Sequence, residues 1–249
     1  MSYQLAKLKS NVSHDVANSL KTLLAVVDDY VEIRIDKDKL LMRGFDYPRY
    51  QYVEVAVVNI FFDLYNVSSN SVKVVVDINE LKKHEKLLSK RTDIDINVYS
   101  DHVVLNINGN EVKLKVDKYE YIEQYDLNYK YDVHAVVKTR ELRDVLEFID
   151  ESSLTRLIRE FNLEVVDSPY LIVRDSNGFS EFKLMCDELW FNRAGVKQTY
   201  YTRSIVDVLK RLALISDRVT VEYSENTPLQ LTSRYYRSHI KYMLAPSVH

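Results

Sequence analysis

The side chains in this chain with a clear chemical use are basic ones on two stretches of helical pattern. Over 77–90, Lys82, Lys83, Lys86 and Lys90 fall within an arc of about 100° at 3.6 residues per turn, opposite Leu81 and Leu88. Over 202–214, Arg203, Lys210 and Arg211 cluster opposite Val208, Leu209 and Leu212, with Asp207 among them. Cations on a solvated helix face attract phosphates through counterion release and read no bases, so each face suits sequence-independent contact with a nucleic-acid backbone. One such helix alone reads as an ordinary solvated face. Two at equivalent places in a repeat favour the phosphate contact.

Catalytic groups are not assembled. His14, His84, His102, His134, His239 and His249 lack metal-ligand spacing. Asp28-Asp29 and Asp93-X-Asp95 fall at helix-to-strand turns, where acids cap or solvate. The single cysteine, Cys186, excludes an internal disulfide and a multi-cysteine zinc site, and no activating partner is evident for it. The four glycines stand alone, so neither a Walker loop nor a dinucleotide fingerprint can be built. The expectation is a protein without enzymatic activity, cofactor or bound metal. Trp190 and Phe191 read as core residues, with stacking on a partner as the alternative.

These side chains must be positioned by a folded scaffold. Apolar residues make up 46% of the 249, enough for packed cores, and the formal charge is −3, so a nucleic-acid surface requires segregated cations. No apolar run nears the roughly 20 residues of a membrane helix, and no signal-peptide core opens the chain, which predicts a soluble intracellular protein without membrane contact.

Period-2 alternation predicts strands over 3–8, 30–35, 40–45, 50–58, 72–76, 93–99, 103–107 and 111–116, the last two joined by an Asn108-Gly109 turn. Val16, Leu20, Leu23, Leu24 and Val27 predict a helix with one buried side and Asn18 and Lys21 on the other. A second helix is predicted over 77–90, with Asp77 as N-cap. Phe61, Phe62 and Tyr65 are expected to pack a short turn. The pattern then begins again. A strand over 133–138 precedes Leu142, Val145, Leu146 and Ile149, which repeat the spacing of the first helix roughly 125 residues on, a shift that means a duplicated domain. The helix over 202–214 and strands near 218–223, 229–231 and 240–244 close the second copy. Between the copies, 118–132 holds five tyrosines and no period, and reads as an extended connector. The domains are therefore 1–117, the connector 118–132, and 133–249, each α+β with two helices. Strand boundaries over 153–199 are not legible apart from a turn at Asn177-Gly178.

This duplicated order resembles the sliding-clamp family, the proliferating cell nuclear antigens of archaea and eukaryotes, over the whole chain. The most specific matches are Asn226-Thr227-Pro228-Leu229 and Tyr242-Met243-Leu244-Ala245-Pro246; Phe62-Asp63-Leu64-Tyr65, Phe45-Asp46 and Val136-Val137-Lys138 also sit where the family has similar residues. The ending looks more archaeal than eukaryotic, which implies a nucleoid-associated cytoplasmic protein, or a nuclear one in a eukaryote.

The resemblance implies a pseudo-sixfold ring of three subunits, copies or paralogues, encircling duplex DNA with helices lining the hole. It adds Lys21, Arg140 and Arg143 to the DNA-facing set, although Asp144 and Glu147 share the face of the two arginines. It implies that the strand over 111–116, with Val112, Leu114 and Val116, joins a strand over 179–185, with Phe182 and Leu184, of the next subunit. It implies that Phe45, Arg49, Tyr50, Leu127, Pro228, Met243, Ala245 and Pro246 receive short peptides of DNA polymerase, ligase, flap nuclease and clamp loader. The function implied is a processivity factor of replication and repair. On the residues alone, a non-encircling interaction scaffold and a DNA-processing enzyme stay open.

Overall fold

The computed structural model describes residues 2–10, 14–47, 49–88, 92–117, 127–152, 159–166 and 169–247. The chain divides into two compact units, Met1–Tyr125 with Tyr236–Ile240, and Asp126–Tyr235 with Lys241–His249.

In the first unit, β1 (Gln4–Ser10) leads to α1 (His14–Val26), then β2 (Tyr30–Asp36), β3 (Lys39–Phe45), β4 (Gln51–Val58), β5 (Leu64–Val67), β6 (Ser71–Asp77) and α2 (Asn79–Lys83); β7 (Ile94–Tyr99), β8 (His102–Ile107) and β9 (Asn110–Asp117) complete it. The strand order is β4-β3-β2-β6-β9-β8-β7-β1-β5. Among the described residues, β6 and β9 are linked by Val75↔Asp117 and Val76↔Val116. Alternation explains the strands: in β7 every second residue, Ile94, Ile96 and Val98, is buried. Asn108 (φ 50°) and Gly109 (φ 81°) make the two-residue turn between β8 and β9, whose doubly positive φ matches the strand twist. Glu32 on β2 is 1% exposed and is held between Arg43 at 2.7 Å and Lys73 at 3.5 Å, so its buried charge is paired on both sides.

The second unit holds β10 (Val133–Lys138), α3 (Thr139–Ser152), β11 (Glu160–Val165), β12 (Tyr170–Asp175), β13 (Glu181–Met185), β14 (Glu188–Phe191), β15 (Val196–Tyr201), α4 (Thr202–Leu212), β16 (Arg218–Tyr223), β17 (Leu229–Tyr235) and the part of β18 (Ser238–Leu244) from Lys241 on. Its strands run β14-β10-β16-β17-β18 and β13-β12-β11-β15. The first unit contains the same two orders, β5-β1-β7-β8-β9 and β4-β3-β2-β6, element for element in the chain. The repeat legible in the spacing is thus a repeat of topology.

Several elements differ from the pattern reading. The helix expected over 77–90 is a five-residue α2 followed by a 3-10 turn over Glu85–Leu87. The cause lies in the positions three and four beyond Leu81, which are His84 and Glu85. They give the buried face nothing apolar to continue on, and packing is what sustains a short helix. Ile78 holds the N-cap position, while the Asp77 carboxylate accepts the Asn79 N–H at 2.8 Å from one residue earlier. Helix α1 is buried almost all round, with Asn18, Ser19 and Thr22 inside as well as the leucines. Thr22 Oγ1 donates to the Asn18 carbonyl at 2.9 Å, so its hydroxyl is satisfied without water. The expected turn of Phe61, Phe62 and Tyr65 is a 3-10 turn over Asn59–Phe61 followed by strand β5. Trp190 is not core: it is 55% exposed on β14, across from His134.

Candidate nucleic-acid and partner interfaces

The broken second helix changes the lysine face of the first unit. Lys82, Lys83 and Lys86 no longer lie on one helical arc, and Lys90 falls outside the described residues. Lys82 Nζ is 3.7 Å from Asp28, and Lys83 donates to Glu80 at 2.6 Å, which leaves Lys86 as the exposed cation without an ion pair among the described residues. Lys21 is half-buried on α1.

In the second unit, α3 and α4 pack together. Thr202 opens α4 with its hydroxyl donating to Asp150 of α3 at 3.0 Å, and Arg159 closes on the same carboxylate at 2.8 Å. Ile205, Val206, Val208, Leu209 and Leu212 form the buried face of α4. Arg203 is exposed and Arg211 half-buried on the other side, as the spacing predicts. The cations here are not alone, however. Lys210 Nζ lies 2.9 Å from Glu147, and that hydrogen bond holds the ammonium above its usual range. Arg143 is paired with Asp144, and Arg140 is exposed on a helix bearing five carboxylates and two arginines. The two helices of this unit therefore carry their own counter-charges.

The residues assigned to peptide binding fall in both units. In the first, Phe45 is buried against Tyr52, with ring centroids 5.0 Å apart, so its side chain belongs to the core. The turn after it is organised by Asp46, whose carboxylate accepts the Gln51 N–H at 2.7 Å and the Gln51 side chain at 3.0 Å, while its carbonyl accepts the Arg49 N–H at 2.8 Å. Arg49 has a φ of 80°, a conformation that costs a non-glycine residue about 1 kcal/mol. The turn presents Tyr50 and also Tyr47, 81% exposed, which the pattern reading missed. The signal available was a tyrosine between Asp46 and Pro48, at a position where no strand could bury it. In the second unit, Thr227 clamps the turn that carries Pro228: its Oγ1 accepts the Ser224 N–H at 2.9 Å and donates to the Ser224 carbonyl at 3.0 Å. Asn226 takes the left-handed conformation there, at φ 59°. Leu127, Pro228, Ala245 and Pro246 are half-buried, and Met243 is buried.

Of the residues assigned to subunit contact, Val112, Leu114 and Leu184 turn into their own unit's core. Val116 and Phe182 are half-buried, and the Phe182 ring meets Phe148 of α3 at 5.5 Å. A contact along these strands must be made by their backbone and by the alternate residues. Cys186 is buried, and burial pushes its thiol up to about 11. Among the described residues no helix is long and apolar enough to cross a membrane.

Neither a protein-family model nor a curated protein matches the sequence. Solved structures do match. The proliferating cell nuclear antigen (PCNA) of Thermococcus kodakaraensis superposes with a TM-score of 0.79 at 17% identity, over 97% of this chain and 100% of its own. PCNA of A. fulgidus, bound to the C-terminal region of FEN-1, gives 0.82 at 14%, over 98% and 99%. A PCNA2–PCNA3 complex from Sulfolobus tokodaii gives 0.78 at 18%, over 96% and 98%.

The chain has the sliding-clamp fold. Low identity with whole-length superposition means that clamp topology is kept by hydrophobic alternation, which many sequences satisfy, and not by a shared string of residues. Within that fold, several helix cations of this chain are paired with carboxylates of the chain itself.

Proposed function

We propose that the chain is a subunit of a DNA sliding clamp, a processivity factor that encircles duplex DNA and tethers polymerase and other replication and repair enzymes. The observation that carries the reading is the superposition of nearly the whole chain, both repeats included, on clamps from three archaea. An isolated clamp-like domain would not need the second copy; a ring does.

On this reading, phosphates meet Lys82, Lys83 and Lys86 of the first unit and Arg203 and Arg211 of the second. Lys86 and Arg203 are the exposed members of the set; Lys82, Lys83, Arg143 and Lys210 are each paired with a carboxylate, Lys21 and Arg211 are half-buried, and Arg140 is set among carboxylates, so these contribute less. A loose, base-independent grip of this kind lets the protein slide. The C-terminal region of FEN-1 bound to A. fulgidus PCNA supports binding of a partner peptide by this chain, with the turn carrying Arg49 and Tyr50 in the first unit and, taken separately, Pro228 and the segment 243–246 in the second as the residues to vary. The Sulfolobus complex supports assembly from more than one subunit. Polymerase, ligase and clamp loader are the further partners, and the chain itself performs no chemistry.

Retention on plasmid DNA tests the reading. A clamp stays on closed circles and leaves when a single cut linearises them, and it raises the length of product a polymerase makes per binding event. Equal retention on both DNA forms, with no effect on the polymerase, would overturn the proposal.

A further inference from the structure

Strand β5 ends the strand order of the first unit: β1 lies on one side of it, and no described strand lies on the other. Its register with β1 includes Ala6↔Val67 and Lys7↔Asn66, and the Ser68 N–H donates to the Leu5 carbonyl at 2.9 Å. Hydrogen-bonded pairs recur at every second residue of an antiparallel ladder, so Asn66 turns its N–H and carbonyl toward β1 while Tyr65 and Val67 turn theirs to the open side. A row of unpaired amides and carbonyls is a template for strand addition. The four residues of β5 span about 13 Å, which suits a short extended segment.

A cleft of about 510 Å³ adjoins this strand. Tyr65, Asn66 and Val67 line it together with Gln4 and Lys7 of β1 and Lys37 of the turn between β2 and β3, and no carboxylate among the described residues does. The Tyr65 hydroxyl donates to the Asp36 carbonyl at 2.8 Å, which ties that turn to β5 and sets Lys37 beside the cleft. Lys7 and Lys37 are exposed and have no ion pair among the described residues. The Asp36 carboxylate, next to Lys37 in sequence, is taken by Arg34 at 3.0 Å. Two cations therefore flank the open edge with their charge uncompensated.

We propose that β5 takes up a short acidic segment of a partner protein as an added strand, its main chain paired with Tyr65 and Val67 and its carboxylates met by Lys7 and Lys37. Main-chain bonds supply the affinity in such an addition, and side chains alternating along the segment supply the selectivity. Lysine beside an open edge repels a second copy of that edge. The same charge admits a strand of opposite sign. The other repeat supports the assignment by contrast. Strand β14 holds the equivalent end of the second unit's order, and its exposed side chains are Glu188 and Trp190. An acidic strand is repelled by Glu188, so the two repeats differ in what their edges accept. None of the β5 site residues belongs to the set that the family resemblance gives to partner peptides, and strand addition here requires neither DNA nor assembly.

Fluorescence anisotropy of the purified chain with three labelled octapeptides tests this: one of alternating valine and aspartate, one of alternating valine and lysine, and the aspartate peptide with all its backbone amides methylated. The aspartate peptide should bind, the lysine peptide should not, and methylation should weaken binding tenfold or more by removing the main-chain donors. Lys7→Glu combined with Lys37→Glu should raise the dissociation constant of the aspartate peptide on the order of tenfold, by setting like charges against it. Both positions are exposed, so the melting temperature should hold. Val67→Pro removes an outward N–H and no ladder bond, and should weaken the same peptide without the charge change. Glu188→Lys, in the other repeat, should leave it unaffected. An aspartate peptide that does not bind would reduce the lysines to a guard against self-pairing and overturn the proposal. Equal binding of the lysine or the methylated peptide, or full binding by the folded double lysine variant, would overturn it too.

Discussion

Glu147 Oε1 lies 2.9 Å from Lys210 Nζ and joins α3 to α4. A cation that belongs by spacing to the phosphate-facing set is thereby occupied by a carboxylate of its own unit. Glu147→Gln keeps the shape and removes the charge, so it should release Lys210 to phosphate. Duplex binding at low salt should tighten several-fold, and the slope of log affinity against log salt should steepen by about one. Fluorescence anisotropy of a labelled duplex over a salt series measures both, and an unchanged slope would mean that Lys210 does not meet DNA.

Changing Lys82, Lys83 and Lys86 together to Glu should have the opposite effect. Lys82 and Lys83 have acidic neighbours, Asp28 at 3.7 Å and Glu80 at 2.6 Å, and would become like-charged with them as well as repelling phosphate. Retention on closed circular DNA and polymerase stimulation should fall by roughly tenfold or more. Survival of both would remove the first unit's lysines from the DNA surface.

The fold was legible where burial follows a simple period. The alternation of Ile94, Ile96 and Val98, the Asn108-Gly109 turn and the face of Val208, Leu209 and Leu212 each specify one structure, and their recurrence specifies the duplication. Where packing overrides the period, reading fails. Lys82 to Lys90 has helical spacing in its charges, but the apolar side that must sustain it is interrupted at His84 and Glu85 before Leu88. Burial of Asn18 and Thr22 depends on local hydrogen bonding that a hydrophobicity pattern does not record. For the candidate sites, sequence spacing located the cations but not their counter-charges, because Glu147 and Lys210 are far apart in the chain and meet only through helix packing. Edge amides were equally invisible: which residues of β9 face outward follows from the register with β8, and the alternation alone pointed to Val112 and Leu114.

That register separates two proline substitutions one residue apart. Leu114 is 1% exposed and its N–H is turned toward β8, so Leu114→Pro removes a ladder bond and a core side chain together. It should cost about 3 kcal/mol or more and lower the melting temperature of the whole protein. Lys113 is exposed, and because the Val116 N–H donates to the Asp101 carbonyl at 3.2 Å and amide directions alternate along β9, its own N–H points away from β8. Lys113→Pro should leave the melting temperature within a few degrees while abolishing self-association, as proline is tolerated where no ladder bond is donated. Calorimetry beside sedimentation reads the two effects apart, and a Lys113→Pro variant that still assembles would show that this edge is unused.

Gly44 sits where β3 passes the end of α1. A Cβ built there would lie 2.7 Å from Val27 Cγ2 and 2.9 Å from the Tyr30 carbonyl oxygen. The first neighbour is a β-branched side chain in the core and the second is backbone, so neither yields easily. Gly44→Ala should therefore destabilise the protein by about 1–3 kcal/mol. Removing the first obstacle tests the cause: Gly44→Ala with Val27→Ala should cost less than the two single changes added, by about 0.5 kcal/mol or more, and strict additivity would refute the clash. The same approach bears on function. Asp28, next to Val27, accepts the Tyr47 N–H at 2.6 Å and so fixes the turn that carries Tyr47, Arg49 and Tyr50. Displacing β3 from Val27 moves that anchor, and the Gly44→Ala variant should bind a partner peptide more weakly at temperatures well below its own melting, with an affinity that the Val27→Ala change partly restores.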